Sequence, residues 1–431
     1  MLRREFLKTS LFAGLALALG GNALEAAAET AGGNAPKVRL GIDVLEAEGF
    51  RRLRGKRVGL LTNQAGVNSR GESTIRVLHT RGRRAGVKLA NLFGPEHGIY
   101  GNVPAEKIVQ NQTDPATGLP VFSLYGKTRR PTPEMLSGLD VMVVDLQDVG
   151  SRSYTYVSCM RLVLEACFDA GVPVLVLDRP NPLGGLKTDG PMLDAKWQSY
   201  VGMYPVPYVH GLTIGELALA ATRENWLSLT PAARSRGRVD VVKMSGWRRA
   251  MRWRDTGLKW VPTSPYISSP EAAEGYAMSG LGSQVGKFSH TFRAADGALT
   301  FPFRWISYPG KTDKTLVATI NAWFIRGLTA LPRKIGEKDG AYLAVANWDA
   351  LAPCEISFHM MRQVCVWSGS NPFATLAVNE RDLFIKHVGS EAFFKALARE
   401  GAKLDVRAWC GLWRRQAQVF AERMRRHRLY D

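Results

Sequence analysis

The stretch VKLANLFGPEHGIYG (87–101) decides how this chain is read. Val87, Leu89, Leu92 and Phe93 make an apolar run of strand length, which Gly94 and Pro95 then turn abruptly. In open α/β sheets ligands gather where parallel strands end, so Glu96 and His97, delivered just past the turn, are the first candidates for chemistry. Gly98 and Gly101 beside them leave room for a ligand to approach the backbone.

Further runs repeat the pattern on either side: RVGLLTN (57–63), LPVFSLY (119–125), VMVVDL (141–146), VPVLVLD (172–178) and VDVVKM (239–244). Helix candidates lie between them. The clearest runs from Tyr154 to Ala170, with Arg161, Glu165 and Asp169 on one narrow face and nearly everything else apolar, the signature of a helix buried against a sheet. Near-continuous apolar strands alternating with helices predict an α/β fold built on a parallel, doubly wound sheet. The strand ends share a habit. Asn63 and Gln64 follow the first, Glu96 and His97 the second, Asp145, Gln147 and Asp148 the fourth, and Asp178, Arg179 and Asn181 the fifth. Polar side chains at the same end of successive parallel strands converge on one crevice.

The chemistry is narrowed by what is missing. No G-x-G-x-x-G follows the first strand and no G-x-x-x-x-G-K-[ST] occurs, so a dinucleotide or P-loop cradle is excluded. No G-x-S-x-G elbow is present for a serine hydrolase. His97 with Asp145 and Asp148 is a conceivable metal set without diagnostic spacing, and no metal site is expected. Carboxylates remain as acid/base candidates, namely Glu96, Glu134, Asp145 and Asp148.

Composition frames the rest. With 431 residues, 45% hydrophobic and 22% charged, the chain is globular and long enough for two domains. A first domain is expected over 37–245 and a second over 246–431, because all eleven tryptophans fall at or after Trp197. Residues 1–28 read as an address: Arg3 and Arg4 in RREFLK, an apolar run from Leu11 to Leu19, and an alanine-rich end at Ala26–Ala28 make a twin-arginine signal peptide. The mature protein is therefore expected in the periplasm, with no stable membrane insertion once the signal is removed. The formal charge of +19 favours polyanionic surroundings such as cell wall or anionic lipid, and no motif points to nucleic acid. Cys354 and Cys365 are left open as a disulfide; Cys159 and Cys167 read as small core residues.

Beyond these readings, the chain resembles the exo-β-N-acetylmuramidases, glycoside hydrolases of peptidoglycan recycling. The matching segments are GIDVLEAEGFRRLRGKRVGLLTNQAGV (41–67), NLFGPEHGIYG (91–101), LPVFSLYG (119–126), PTPEML (131–136), DVMVVDLQDVGSRSYTY (140–156), VPVLVLDRPNPLGG (172–185), DGPMLD (189–194), YPVPYVHGLTIGELA (204–218) and WVPTSP (260–265). The resemblance implies a Rossmann-like catalytic domain, a smaller α+β C-terminal domain closing the cleft, and release of terminal N-acetylmuramic acid from peptidoglycan fragments without a cofactor. It puts the catalytic glutamate on Glu96 and suggests Glu134 for a second. Asn63, Gln64, Asp148, Arg152, Tyr154 and His210 are then expected to position the sugar, with Arg152 as partner of its lactyl carboxylate. The segment 280–303 departs from the family pattern, which keeps a catalytically silent wall-fragment binder as an alternative; a metal-dependent hydrolase using His97, Asp145 and Asp148 is the other.

Overall fold

The computed structural model describes residues 38–101, 110–281 and 288–431; the expected signal peptide at 1–28 and part of the divergent segment lie outside them. Residues Lys37–Asp431 form one compact unit. Its first strands are β1 (Arg57–Thr62), β2 (Lys88–Gly94), β3 (Gln112–Thr113), β4 (Pro120–Ser123), β5 (Val141–Asp145), β6 (Val174–Leu177), β7 (Asp189–Met192), β8 (Pro207–Val209) and β9 (Val239–Val242).

Seven of these make one sheet in the order β3-β4-β2-β1-β5-β6-β9. All neighbours are parallel except β3, which runs antiparallel along the edge at β4. Each of the six apolar runs became a strand of this sheet, so the doubly wound α/β expectation holds. The chain winds outward from β1 through β2 to β4, then crosses over to β5 and winds the other way, which places the topological switch at the carboxyl ends of β1 and β5.

The runs lack polar alternation because both faces of the sheet are covered. On one face Leu61, Phe93, Met142, Val144, Val174 and Val176 pack against the helices Thr155–Ala170 and Ile214–Arg223. On the other, Val58, Leu60, Leu92, Val143, Leu175 and Leu177 join the helix Gly41–Ala47. Alternate residues of one strand thus belong to different cores, as the two-residue side-chain period requires. We label these helices α1 (Gly41–Ala47), α2 (Thr155–Ala170) and α3 (Ile214–Arg223).

Helix α2 begins one residue later than expected and ends at Gly171, whose φ of 71° supplies the left-handed cap. Its polar face is solvated only at Asp169. Arg161 and Glu165 form a buried ion pair at 2.9 Å, and Glu165 accepts from Ser228 N–H at 2.8 Å, so the face ties down loops on the sheet's flank.

A third core fills the C-terminal half around a small antiparallel sheet of Trp305–Ile306, Ala341–Val345 and Leu328–Pro332. The final helix α4 (Val406–Arg423) carries Trp413 into this core and Phe420 into the core behind α2, with Met424 just beyond its end also in the latter. All five cysteines are buried free thiols, so Cys354 and Cys365 do not pair. Six of the eleven tryptophans, Trp247, Trp253, Trp305, Trp323, Trp348 and Trp413, are buried core residues, and the other five pack half-buried against the cores.

Candidate functional site

Strand β2 ends at Gly94, and the chain then enters the left-handed region at His97 (φ 70°), Gly98 (φ 76°) and Gly101 (φ 69°). For His97 that backbone costs about 1–3 kcal/mol, a strain that persists only where the surroundings over-determine it. The turn folds Glu96 and His97 back over the strand end, where both are buried. Thr155, the first residue of α2, donates its hydroxyl to Glu96 Oε2 at 2.7 Å. Tyr154, at the N-cap, makes no side-chain capping bond, so the Glu96 carboxylate faces the positive end of a long helix. Three tyrosines sense its charge. Burial raises the pKa of the Tyr156, Tyr200 and Tyr276 phenols, and the charge of Glu96 adds to the effect at each.

The switch point itself is lined with amides and a carboxylate. Asn63 Oδ1 accepts from Ala65 N–H at 3.1 Å, and Gln64 Nε2 donates to the carbonyls of Pro262 (2.8 Å) and Thr263 (3.0 Å). Gly101 must be glycine for this: a Cβ there would stand 2.2 Å from the Gln64 side chain. Gln147 donates to the Asp148 and Pro180 carbonyls at 2.8 and 2.9 Å. Asp148 Oδ2 accepts from Gly150 N–H at 3.0 Å and lies 3.3 Å from His210 Nε2. His210 Nδ1 accepts from Leu212 N–H at 3.2 Å, which leaves Nε2 on the side of Asp148. Among the described residues, Asn63 Nδ2, Gln64 Oε1, Gln147 Oε1 and Asp148 Oδ1 are buried with no hydrogen-bond partner. Buried polar atoms are paired as a rule, so four orphans at adjoining strand ends make this the candidate surface for a polar ligand.

Other predicted residues support this surface without facing it. Asp145 is fully buried and receives Arg179 Nε at 2.6 Å and Nη2 at 2.9 Å, while Arg179 also reaches the Val67 carbonyl at 2.6 Å. This bidentate pair braces β1, β5 and β6 at their ends. Asp178 accepts from Thr213 Oγ1 and Gly215 N–H, both 2.8 Å, at the start of α3, and from the Tyr430 hydroxyl at 2.6 Å. Burial nevertheless pushes it up to about 6. Asn181 holds its own loop through Leu212 O and Leu183 N–H, each at 3.0 Å. Tyr154 donates to Thr263 Oγ1 at 2.8 Å and stacks edge-on to Tyr156.

Two expectations are corrected. Arg152 is no partner for a substrate carboxylate: it is buried, and its guanidinium donates to the carbonyls of Pro191 (2.7 Å), Val206 (2.9 Å), His387 (3.3 Å) and Val388 (2.8 Å). Gly389, in the left-handed region with φ 86°, leaves the space, since a Cβ there would meet Arg152 Nη2 at 2.3 Å. Glu134 is not buried with the strand-end residues. It sits exposed in the first turn of the short helix Pro133–Leu136, where the Thr132 hydroxyl and its own backbone amide hold its carboxyl below the usual range. Thr155, Tyr156, Tyr200, Tyr276 and Thr263 were missed because they come from distant elements and lack a motif spacing. Among the described residues no group of three or more His, Cys, Asp and Glu side chains is placed to hold a metal ion, and both Asp145 oxygens are engaged by Arg179.

The family model described as "Exo-beta-N-acetylmuramidase NamZ, N-terminal" matches residues 58–271, a span holding every strand-end residue above. The peptidoglycan β-N-acetylmuramidase NamZ of Bacillus subtilis (strain 168) is 41% identical over 296 residues, which are 68% of this chain and 67% of that protein. Two crystal structures of DUF1343 family proteins from Bacteroides fragilis are similar throughout. One has a TM-score of 0.81 at 34% identity, covering 92% of this chain and 100% of the other; the second has 0.65 at 25%, covering 91% and 99%.

Proposed function

We propose, from the premise that the chain belongs to the exo-β-N-acetylmuramidase NamZ family of glycoside hydrolases, that it releases terminal N-acetylmuramic acid from peptidoglycan fragments with Glu96 as the general acid. The observation that carries this reading is Glu96 itself, folded over the end of β2 by a left-handed turn and hydrogen-bonded to Thr155 at the start of α2. A glycosidase needs a second carboxyl group to activate water or attack the anomeric carbon. Asp148 meets that need better than Glu134: it is buried, held by Gly150 N–H with His210 Nε2 3.3 Å away, and retains an oxygen without a partner. Its charge and that of Glu96 both act on Tyr276, which supports their facing one crevice. Asn63, Gln64 and Gln147 would hold the sugar's hydroxyl and acetamido groups.

General-acid catalysis has a diagnostic dependence on the leaving group. A nitrophenolate leaves with little protonation, whereas a sugar alkoxide does not leave without it. Glu96→Gln is therefore expected to lose about 10²–10⁴-fold in kcat on a muramyl disaccharide and much less on a nitrophenyl β-N-acetylmuramide. Asp148→Asn should lose activity on both. A folded wild-type protein that frees no muramic acid, or a Glu96→Gln variant at wild-type turnover on the disaccharide, overturns the reading.

The proposal extends to location. RREFLK followed by a short apolar run supports export by the twin-arginine route. Residues 1–36 fused to a reporter should reach the periplasm only in cells with that translocase, and Arg3→Lys with Arg4→Lys should retain the fusion in the cytoplasm.

A further inference from the structure

The pairing of β2 with β4 brings a second loop to the edge of the crevice. Gly94 is in register with Ser123, and Leu124 N–H donates to Gly94 O at 2.9 Å. Glu96 and Tyr125 thus leave adjacent strand ends, each two residues beyond the last paired position. Tyr125 opens the loop YGKTRRP (125–131), which is stiffened where Thr128 Oγ1 donates to Arg130 O at 2.6 Å and accepts from Arg130 N–H at 3.1 Å. Between these bonded residues lies Arg129. Its guanidinium stands 4.1 Å from the ring centroid of Tyr200 and 5.0 Å from that of Tyr125, the two rings being 5.9 Å apart. Tyr200, on which Arg129 rests, also senses the charge of Glu96.

Nearby arginines are spent. Arg130 pairs with Asp169, Arg161 with Glu165, Arg179 with Asp145, and Arg152 is filled by carbonyls. Arg129 is exposed and has no carboxylate partner among the described residues, so its planar fork is held on aromatic faces with its donors free. A guanidinium stacked this way loses little freedom on binding a carboxylate in bidentate fashion. N-acetylmuramic acid differs from N-acetylglucosamine by one such group, the lactyl carboxylate on O3. Resting on the function proposed above, we infer that Arg129 is the specificity-determining residue that receives the lactyl carboxylate, the role the sequence had suggested for Arg152.

The test uses three nitrophenyl β-glycosides with one leaving group: N-acetylmuramic acid, its lactyl methyl ester, and N-acetylglucosamine. Wild type should favour the acid over the ester in kcat/KM, and Arg129→Ala should shrink that ratio by about 10–100-fold. Arg129→Lys, which keeps the charge but loses the fork, should fall between. Unchanged melting temperatures will show that the variants are folded, and calorimetric binding of free N-acetylmuramic acid against its methyl ester to Glu96→Gln, with and without Arg129→Ala, reads the contact apart from turnover. A wild-type preference for acid over ester that survives in Arg129→Ala overturns the Arg129 assignment alone. Equal use of acid and ester by wild type overturns it as well. Hydrolysis of none of the three by folded wild type sinks the function reading, and with it this one.

Discussion

Replacing Arg152 by methionine separates a structural clamp from a substrate contact. The methionine matches the buried length and removes the charge. Four bonds from a charged donor to backbone carbonyls would be lost, each worth about 1.5–3 kcal/mol. Against this stands the solvation that the guanidinium gave up. Burial depresses it from 12.5 to about 10, which represents about 3 kcal/mol. Taking the lower bond value, the variant should be about 3 kcal/mol less stable than wild type. The loss should be felt across the molecule, because the carbonyls belong to β7, to the loop before β8, and to the end of the helix Val378–Val388. Urea unfolding followed by tryptophan fluorescence measures it. Turnover assayed well below the unfolding midpoint should keep the wild-type ratio for acid over lactyl ester. A variant within about 0.5 kcal/mol of wild type that has lost this discrimination would refute the clamp and return Arg152 to the substrate.

Three further outcomes follow from buried charge. Arg179→Ala strands Asp145 without its bidentate partner and should destabilise by about 3–5 kcal/mol, read by the same unfolding experiment. Glu224 should govern the acid limb of stability. Burial opposes its charge, but hydrogen bonds from His427, Arg426 and Arg423 take its carboxyl from 4.5 down to about 2. A lowered folded pKa means stability that is complete above pH 4.5 and lost as pH falls toward 2, so Glu224→Gln should flatten that limb in pH-dependent melts. Asp178 works with the opposite sign. Burial raises it from 3.8 to about 6, so its contribution is complete below pH 3.8 and is lost as pH rises to 6; Asp178→Asn should abolish that loss while leaving the Glu224 limb intact.

The C-terminus shows why these charges concentrate where they do. Arg423, Arg426 and His427 close on Glu224, Leu429 N–H donates to Glu216 Oε1 at 2.9 Å, and Tyr430 reaches Asp178 at 2.6 Å. The last residues therefore strap α3 to the end of β6, under the strand ends that carry the site. Arg423 and Arg426, themselves exposed, complete the shell of a buried carboxylate.

What the sequence by itself determined is the sheet and the place of Glu96 at its strand ends. Apolar runs that lack polar alternation, broken at the same kind of turn, depend only on residues near one another in the chain, and they led to the six main strands and to the crevice where those strands end. GPEH was legible for the same reason: a glycine and proline end the strand, and the next residue is delivered to the crevice. What only the tertiary structure decided is which polar side chains face the ligand and which serve the frame. Arg152 finds its carbonyls 39 to 236 residues away, Glu134 is turned outward on a one-turn helix, and Arg129 gains its aromatic seat from Tyr200, brought in by the connection between β7 and β8. Hydrophobic burial follows local periodicity, but a hydrogen bond or ion pair is satisfied by whichever partner the packed fold presents.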